Sequence, residues 1–532
     1  MSSMARRLSV TDATDAADEN RLADWGYKQE LKRDWSVLQN FGVSFSIISV
    51  VTGLTTLFSY GLTTGGPAVM ASGWICVSFF TLFVGLSMAE IVSAIPTSGG
   101  PYFWAAKLAP DHLAPFFSWV TGWFNFVGQF AVTTGISFGL AGLISTAATV
   151  KTSYEPTPAK VIGIYAAILV SHGLVNSFGV HALRYLNNAS IVLHSLGVGA
   201  LAIAILSKAP THRSASEVFG HFYDGTGDPG WSERASPAYV AITGVLMSQF
   251  TITGFDASAH LSEETHDASW AAPIGVIMSI ACSSIFGFFY MLSLLFSIQD
   301  FDRTINSDYE QPVLQILVDV FGENGALVLM TLIMVCVWHC GLFSITSNSR
   351  MMFAFSRDGA LPHFFDHVHP TLKSPIRTIW LAATLSFILA LPSLGSSVAY
   401  AAATSIATIG LYISYAIPVL IAIIWPKKFK SMKGPFDLKV FSWPVGFIAC
   451  LWVAFITIVF CLPTLNPVDS QSLNYTPVAV GIVILFTFAT WFLWAHRWFT
   501  GPINQIELEQ AGVSLEAQAL EEHAADVTKK AE

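Results

Sequence analysis

Between two polar ends the chain is a succession of long apolar stretches joined by short polar connections. Twelve can be marked, at about 39–61, 67–94, 115–147, 160–177, 188–207, 238–260, 272–298, 325–355, 376–394, 398–424, 441–462 and 475–499. Each approaches or exceeds the ~20 residues a helix needs to cross a bilayer core. An isolated strand in lipid would leave its backbone groups unpaired, so the pattern predicts twelve membrane helices. Residues 1–38 are polar, and Arg6 and Arg7 are soon followed by Asp12, Asp15, Asp18 and Glu19. That is neither the acid-poor transit pattern nor the basic-then-apolar secretory pattern, and it predicts a mobile tail. Residues 500–532 are again polar and predict a short Ala/Glu/Leu-rich surface helix.

Composition agrees. Of 532 residues 53% are hydrophobic and 11% charged, against about 25% charged in soluble proteins. A soluble multi-domain enzyme, a disordered chain and a secreted disulfide scaffold are excluded. The net charge of -9 lies mostly in the tails and one loop and points to no nucleic-acid partner. The six cysteines lie inside apolar runs without CxxC spacing, so they predict neither a disulfide framework nor a zinc site. Lys and Arg set the orientation: with the N-terminus inside, 20 of the 26 fall in inside segments and none sits deep in a span. Both tails are therefore expected in the cytosol.

Two spans are too polar to be passive anchors. Span 1 carries Ser44, Ser46, Ser49, Thr52, Gly53, Thr55 and Thr56, and span 6 carries Gln249, Thr251, Thr253, Gly254 and Asp256. Each has a Thr-Gly pair near mid-membrane, and they lie five spans apart, so they enter from opposite sides. Such a pair of interrupted helices marks an inverted-repeat transporter, in which freed N–H groups bind a carboxylate and freed carbonyls bind an ammonium or a cation. Close helix packing by small residues is the alternative.

Other polar groups divide into cavity and bracing candidates. Asp256 is the acid nearest the middle of any span and could attract an ammonium, carry a proton or brace the break. Glu90, at the inner end of span 2, is expected to pair with a basic residue such as Arg350 or Arg357. Asn125 and Gln129 share one face of span 3 and could line a cavity or tie helices together. His194 is the histidine expected deep in spans 1–6, as a core residue or a proton-coupling group. Cys336, His339 and Cys340 lack a fourth ligand, and His363, Asp366, His367 and His369 sit in an inner loop, so no metal and no cofactor are expected. No Walker motif or nucleophile elbow is present.

Four stretches then resemble the amino acid–polyamine–organocation superfamily: SMAEIVSAIPTSGGPYFWAAKLAP from Ser87, GWFNFVGQ from Gly122, TGFDASAHLSEET from Thr253 and SNSRMMFAFSRDGALP from Ser347. With SIATIGLYISYAIP and the late GPFDL and NYTPVAV stretches, the chain is most similar to the eukaryotic amino acid/choline transporter family, in its GABA-permease or bidirectional amino acid transporter branch.

The resemblance implies an all-α membrane fold of twelve helices with five-plus-five inverted repeats. It divides the chain into an N-terminal tail (1–38), helices 1–5 (39–207), an outer loop (208–237), helices 6–10 (238–424), helices 11–12 (425–499) and a C-terminal tail (500–532). It implies a substrate site between helices 1, 3, 6, 8 and 10. Val51, Thr52, Gly53 and Leu54 match the loop for the substrate carboxylate. Phe250, Thr251, Thr253, Gly254 and Phe255 match the helix 6 break, with an aromatic gate. Some proton-coupled relatives place a lysine in helix 5, where this chain has none and His194 could stand in.

The expected protein is a secondary transporter for small zwitterions, GABA and α-amino acids foremost, in the plasma membrane or an internal membrane such as the Golgi or mitochondrial inner membrane. The coupling ion is expected to be a proton, with sodium as the alternative. Choline or a polyamine, or a sensor that binds without transport, are the rival functions.

Overall fold

The computed structural model describes residues 16–395, 399–470 and 472–503. The expected C-terminal surface helix lies outside the described residues. Eleven described helices are long and apolar enough to cross a membrane. Span 6 is the remaining crossing, made in pieces: Pro237–Gly244, Leu246–Thr251 and Ala257–His260. Span 1 is also in pieces, Val37–Ile48, Val50–Thr56 and Phe58–Thr63. These two interrupted helices open the two sets of five, and spans 11 (Ser442–Val459) and 12 (Thr476–Leu493) lie outside them. Only 17% of the most apolar stretch of span 12 is buried, against 83% for span 1. Span 1 is therefore surrounded by protein, while span 12 faces lipid.

Span 1 starts where Ser36 and Gln39 form a capping box, the Gln39 amide donating to Ser36 Oγ and the Ser36 amide to Gln39 Oε1. Span 2 (Gly66–Ala94) packs on span 7 (Ala268–Phe296), and span 3 (Ala114–Thr149) packs on the span 10 helix (Ala399–Ile424). Close approach accounts for the second contact: a Cβ on Gly128 would lie 2.8 Å from the Leu411 amide nitrogen.

Span 8 follows the non-helical backbone of Gly322 (φ 69°, ψ 170°), close to the expected start near 325, and runs to Arg357, with a separate helical piece from Pro312 before it. Two expectations need correction. Span 5 begins early, at Val180, through a polar turn. Residues 16–36 are not a mobile tail. They pack beneath the bundle and bury Leu22, Tyr27, Leu31 and Trp35. Alternating polar and apolar residues hid this contact, because the surface they cover is assembled from distant segments.

Candidate functional site where the interrupted spans cross

The break in span 1 falls at Ser49, whose backbone (φ 21°, ψ 83°) leaves the helical region. Val51, Thr52, Gly53 and Leu54 lie just past it, in the first turns of the next helical piece and not in an unwound loop. The Ser49 carbonyl accepts from the Thr52 and Gly53 amides at 2.8 and 3.4 Å. Among the described residues the Val50 and Val51 amides find no backbone acceptor, as expected at the start of a helix.

Span 6 leaves the helix at Ile252 and resumes at Ala257. Gly254 takes φ +96°, a conformation that side chains disfavour. Among the described residues no donor reaches the carbonyls of Phe250, Thr251 or Thr253. The Ile252 carbonyl accepts from Tyr412 Oη at 2.8 Å, and the Phe255 carbonyl from Ser44 Oγ at 3.1 Å. These bonds hold the unwound strand from both sides.

The two breaks touch. A Cβ on Gly53 would meet Thr251 Oγ1 at 2.2 Å. Thr52, Gly53, Phe250, Thr251 and Thr253 line one small cavity with Val132 and Ile136. Its volume is about 10 Å³, room for about one water. Phe250 closes it against Gly135 of span 3. Phe255 points away, with its ring 5.1 Å from that of Tyr415.

Asp256 is buried beyond the break. Gln129 Nε2 donates to its Oδ2 at 2.7 Å and Asn125 Nδ2 at 3.4 Å, so the two span 3 amides converge on one carboxyl oxygen. His260 Nε2 reaches the same oxygen at 3.2 Å. The other ring nitrogen, Nδ1, lies 2.8 Å from the Ser98 carbonyl, which can only accept. Nδ1 therefore carries hydrogen, and the His260–Asp256 contact is a hydrogen bond only when a second proton lies between them.

His194 sits in a π-helical turn, Leu193–Gly197. Its Nδ1 faces the Ser190 carbonyl at 2.9 Å and its Nε2 faces Ser49 Oγ at 2.8 Å. It thus touches the break of span 1 itself. Sequence reasoning counted Ser49 among the polar residues of span 1 without singling it out, and it missed His260 and Tyr412. His260 had a usable signal, since it follows Asp256 by one helical turn. His172 in span 4, against Trp338, and His260 at the end of span 6 are also fully buried, so His194 is not the only buried histidine in spans 1–6. Among the described residues no group of three or more His, Cys, Asp or Glu could hold a metal.

The amino acid permease family model matches residues 38–486. The chain belongs to the amino acid permease family. It is 45% identical to the amino-acid permease BAT1 homolog of Oryza sativa subsp. japonica, over 92% of this chain and 96% of that protein. It is 43% identical to the amino-acid permease BAT1 of Arabidopsis thaliana, over 91% and 96%. An uncharacterized amino-acid permease of Schizosaccharomyces pombe is 32% identical, over 94% and 92%. The chain is thus a multi-pass membrane transporter of amino acids and not an enzyme.

At the face that carries residues 16–36, this permease is sealed by stacked ion pairs. Glu264 binds Arg350 Nε at 2.7 Å and accepts from Trp35 Nε1 at 3.3 Å. Glu263 binds both terminal nitrogens of Arg357, at 3.1 and 3.2 Å, and accepts from the Ser98 amide. Burial pushes the Glu263 carboxyl up, but the Arg357 guanidinium and these hydrogen bonds outweigh it and hold it below the usual range. Asp358 accepts from Tyr27 and Tyr102 at 2.5 and 2.8 Å, and Arg357 lies over the Tyr27 ring. Arg350 and Arg357 are thus taken by the acids after span 6. Glu90 pairs with a basic residue, as expected, but that residue is Lys433 and neither of the two arginines, and Glu90 also accepts from Ser442 Oγ at 2.7 Å. The cause is distance in the fold: span 2 ends beside the span 10–11 connection.

Proposed function

We propose that this permease is a secondary active transporter moving small zwitterionic amino acids, GABA among them, by alternating access. The observation that carries it is the crossing of the two breaks, with unpaired donors on one side and unpaired acceptors on the other. The Val50 and Val51 amides, with Thr52 and Gly53 beside them, suit a substrate carboxylate. The Phe250, Thr251 and Thr253 carbonyls suit its ammonium. A carboxylate that leaves water needs such donors, and no Lys or Arg lines this cavity. The cavity is smaller than any amino acid, so substrate entry requires the two spans to part.

Proton coupling is the favoured drive. His194 joins Ser49 at one break and His260 joins Asp256 at the other, so a proton gained or lost at either changes the hydrogen bonds of that break. The excess of Lys and Arg in the tails and their neighbouring loops supports both tails in the cytosol.

The test is uptake of labelled alanine, glutamate and GABA into proteoliposomes with imposed proton or sodium gradients. Accumulation is expected to follow the proton gradient and to be competed by unlabelled amino acids but not by excess choline. Uptake that follows sodium at fixed pH, with no response to protons, would overturn the coupling. Competition by choline alone would overturn the substrate class.

A further inference from the structure

A second, larger cleft of about 560 Å³ lies at the face of residues 16–36, away from the crossing. It opens between the ends of spans 2 and 10 and the start of span 11. The connection that roofs it is locked in place. A Cβ on Gly434 would lie 2.2 Å from the Ser93 carbonyl oxygen, and the Phe436 amide donates to Ser93 Oγ at 2.9 Å. Glu90 sits in the cleft, already held by Lys433, Ser442 Oγ and the Leu438 amide.

Three lysines, Lys430, Lys433 and Lys439, and two acids, Glu90 and Asp437, line the cleft. Between residues 426 and 440 there are five lysines and one acid, Asp437. Lys433 is neutralised by Glu90 and Asp437, and Lys428 by Asp111. Lys430 and Lys439 line the cleft, are exposed, and have no ion-pair partner among the described residues. The inner wall is apolar, formed by Val419, Ile423 and Trp443. Trp443 stacks on Phe447 with ring centroids 5.2 Å apart, which carries the wall along span 11 toward the bilayer centre.

The depth of these groups decides the ligand. Span 10 ends at Ile424 and span 11 begins at Ser442, so the mouth lies level with the lipid headgroups. From Val419 to Ile424 the helix rises about 8 Å, roughly the distance from a headgroup phosphate to the first methylenes. A soluble anion would use the lysines and leave the apolar wall wet, and a zwitterionic lipid would bring its own cation to compete with the lysines for its phosphate.

We infer that the cleft between spans 2, 10 and 11 binds one phospholipid with an anionic headgroup, its phosphate between Lys430 and Lys439 and an acyl chain along Ile423 and Trp443. Basic pockets between helices at a membrane surface are suited to such headgroups.

Native mass spectrometry of the purified full chain, given equal amounts of phosphatidylglycerol and phosphatidylcholine, tests this. One phosphatidylglycerol is expected to be retained in preference to phosphatidylcholine. Lys430→Gln with Lys439→Gln should weaken that retention on the order of tenfold. Both side chains are exposed, so the variant should fold; Lys151→Gln with Lys160→Gln, at the opposite face, should leave retention unchanged. Equal retention of the two lipids, or an unchanged preference in the Lys430/Lys439 variant, would overturn the site. Displacement of the lipid by soluble glycerol 3-phosphate would also overturn it, by showing an anion site that needs no acyl chain.

Discussion

Gly53 and Thr251 touch where the two interrupted spans cross, so closely that a Cβ on Gly53 would lie 2.7 Å from the Thr251 Cα as well as 2.2 Å from its hydroxyl. The contact places the Gly53 backbone directly against the side chain and Cα of Thr251. It also makes the spacing of spans 1 and 6 depend on a hydrogen atom at position 53.

Gly53→Leu should therefore reduce uptake to background while the protein still inserts. Its side chain fills the 10 Å³ cavity and wedges Thr251 away. The check is labelled uptake beside a size-exclusion profile. A monodisperse variant that transports like the parent would refute the site.

Asp256→Asn should weaken transport and change its pH profile. The substitution keeps a group near Gln129 and Asn125 but removes the carboxylate whose oxygen lies 3.2 Å from His260 Nε2. His367→Ala, in an exposed loop, should leave both rate and profile unchanged. Initial rates across a pH series distinguish the two, and a profile identical to the parent's for Asp256→Asn would remove Asp256 from the coupling path.

Glu263→Gln should lower stability at pH 7. Removing one charge of a buried pair costs about 3–5 kcal/mol, and Glu263 and Arg357 are 1% and 2% exposed. The sign with pH follows from the lowered carboxyl. The folded protein keeps Glu263 ionised below its ordinary value of 4.5, so this stabilisation is fully present above about pH 4.5 and is lost as pH falls through the lower folded value. Melting in detergent should show a gap between parent and variant at neutral pH that closes in acid.

Gly220→Cys, in the exposed outer loop, should react with a membrane-impermeant thiol reagent only from the side opposite the tails. Labelling from the tail side alone would reverse the proposed orientation.

Much of the fold was legible along the chain, because lipid leaves the backbone few options. Apolar runs of about 20 residues become helices, and the polar Thr-Gly pairs marked the two helices that break. Asp256, Asn125 and Gln129 were each visible as polar residues in apolar spans. Their convergence on one carboxyl oxygen was not, since spacing within one helix carries no information about a facing helix. The same limit hid Glu90's partner. A carboxylate at a span end predicts some cation, but only packing chose Lys433 over Arg350 and Arg357.

The sequence by itself determined the membrane class, nearly all the crossings, and the two spans in which the helix would yield, because hydropathy and backbone preference are local properties; in span 1 the break itself falls at Ser49, before the Thr52-Gly53 pair. Tertiary structure alone decided which groups meet there. Ser49 receives His194, Gly53 receives Thr251, and the polar segment before span 1 closes one face through Trp35 and Tyr27. Those pairs join residues far apart in the chain, and burial makes each depend on its partner, since a polar group out of water must find one.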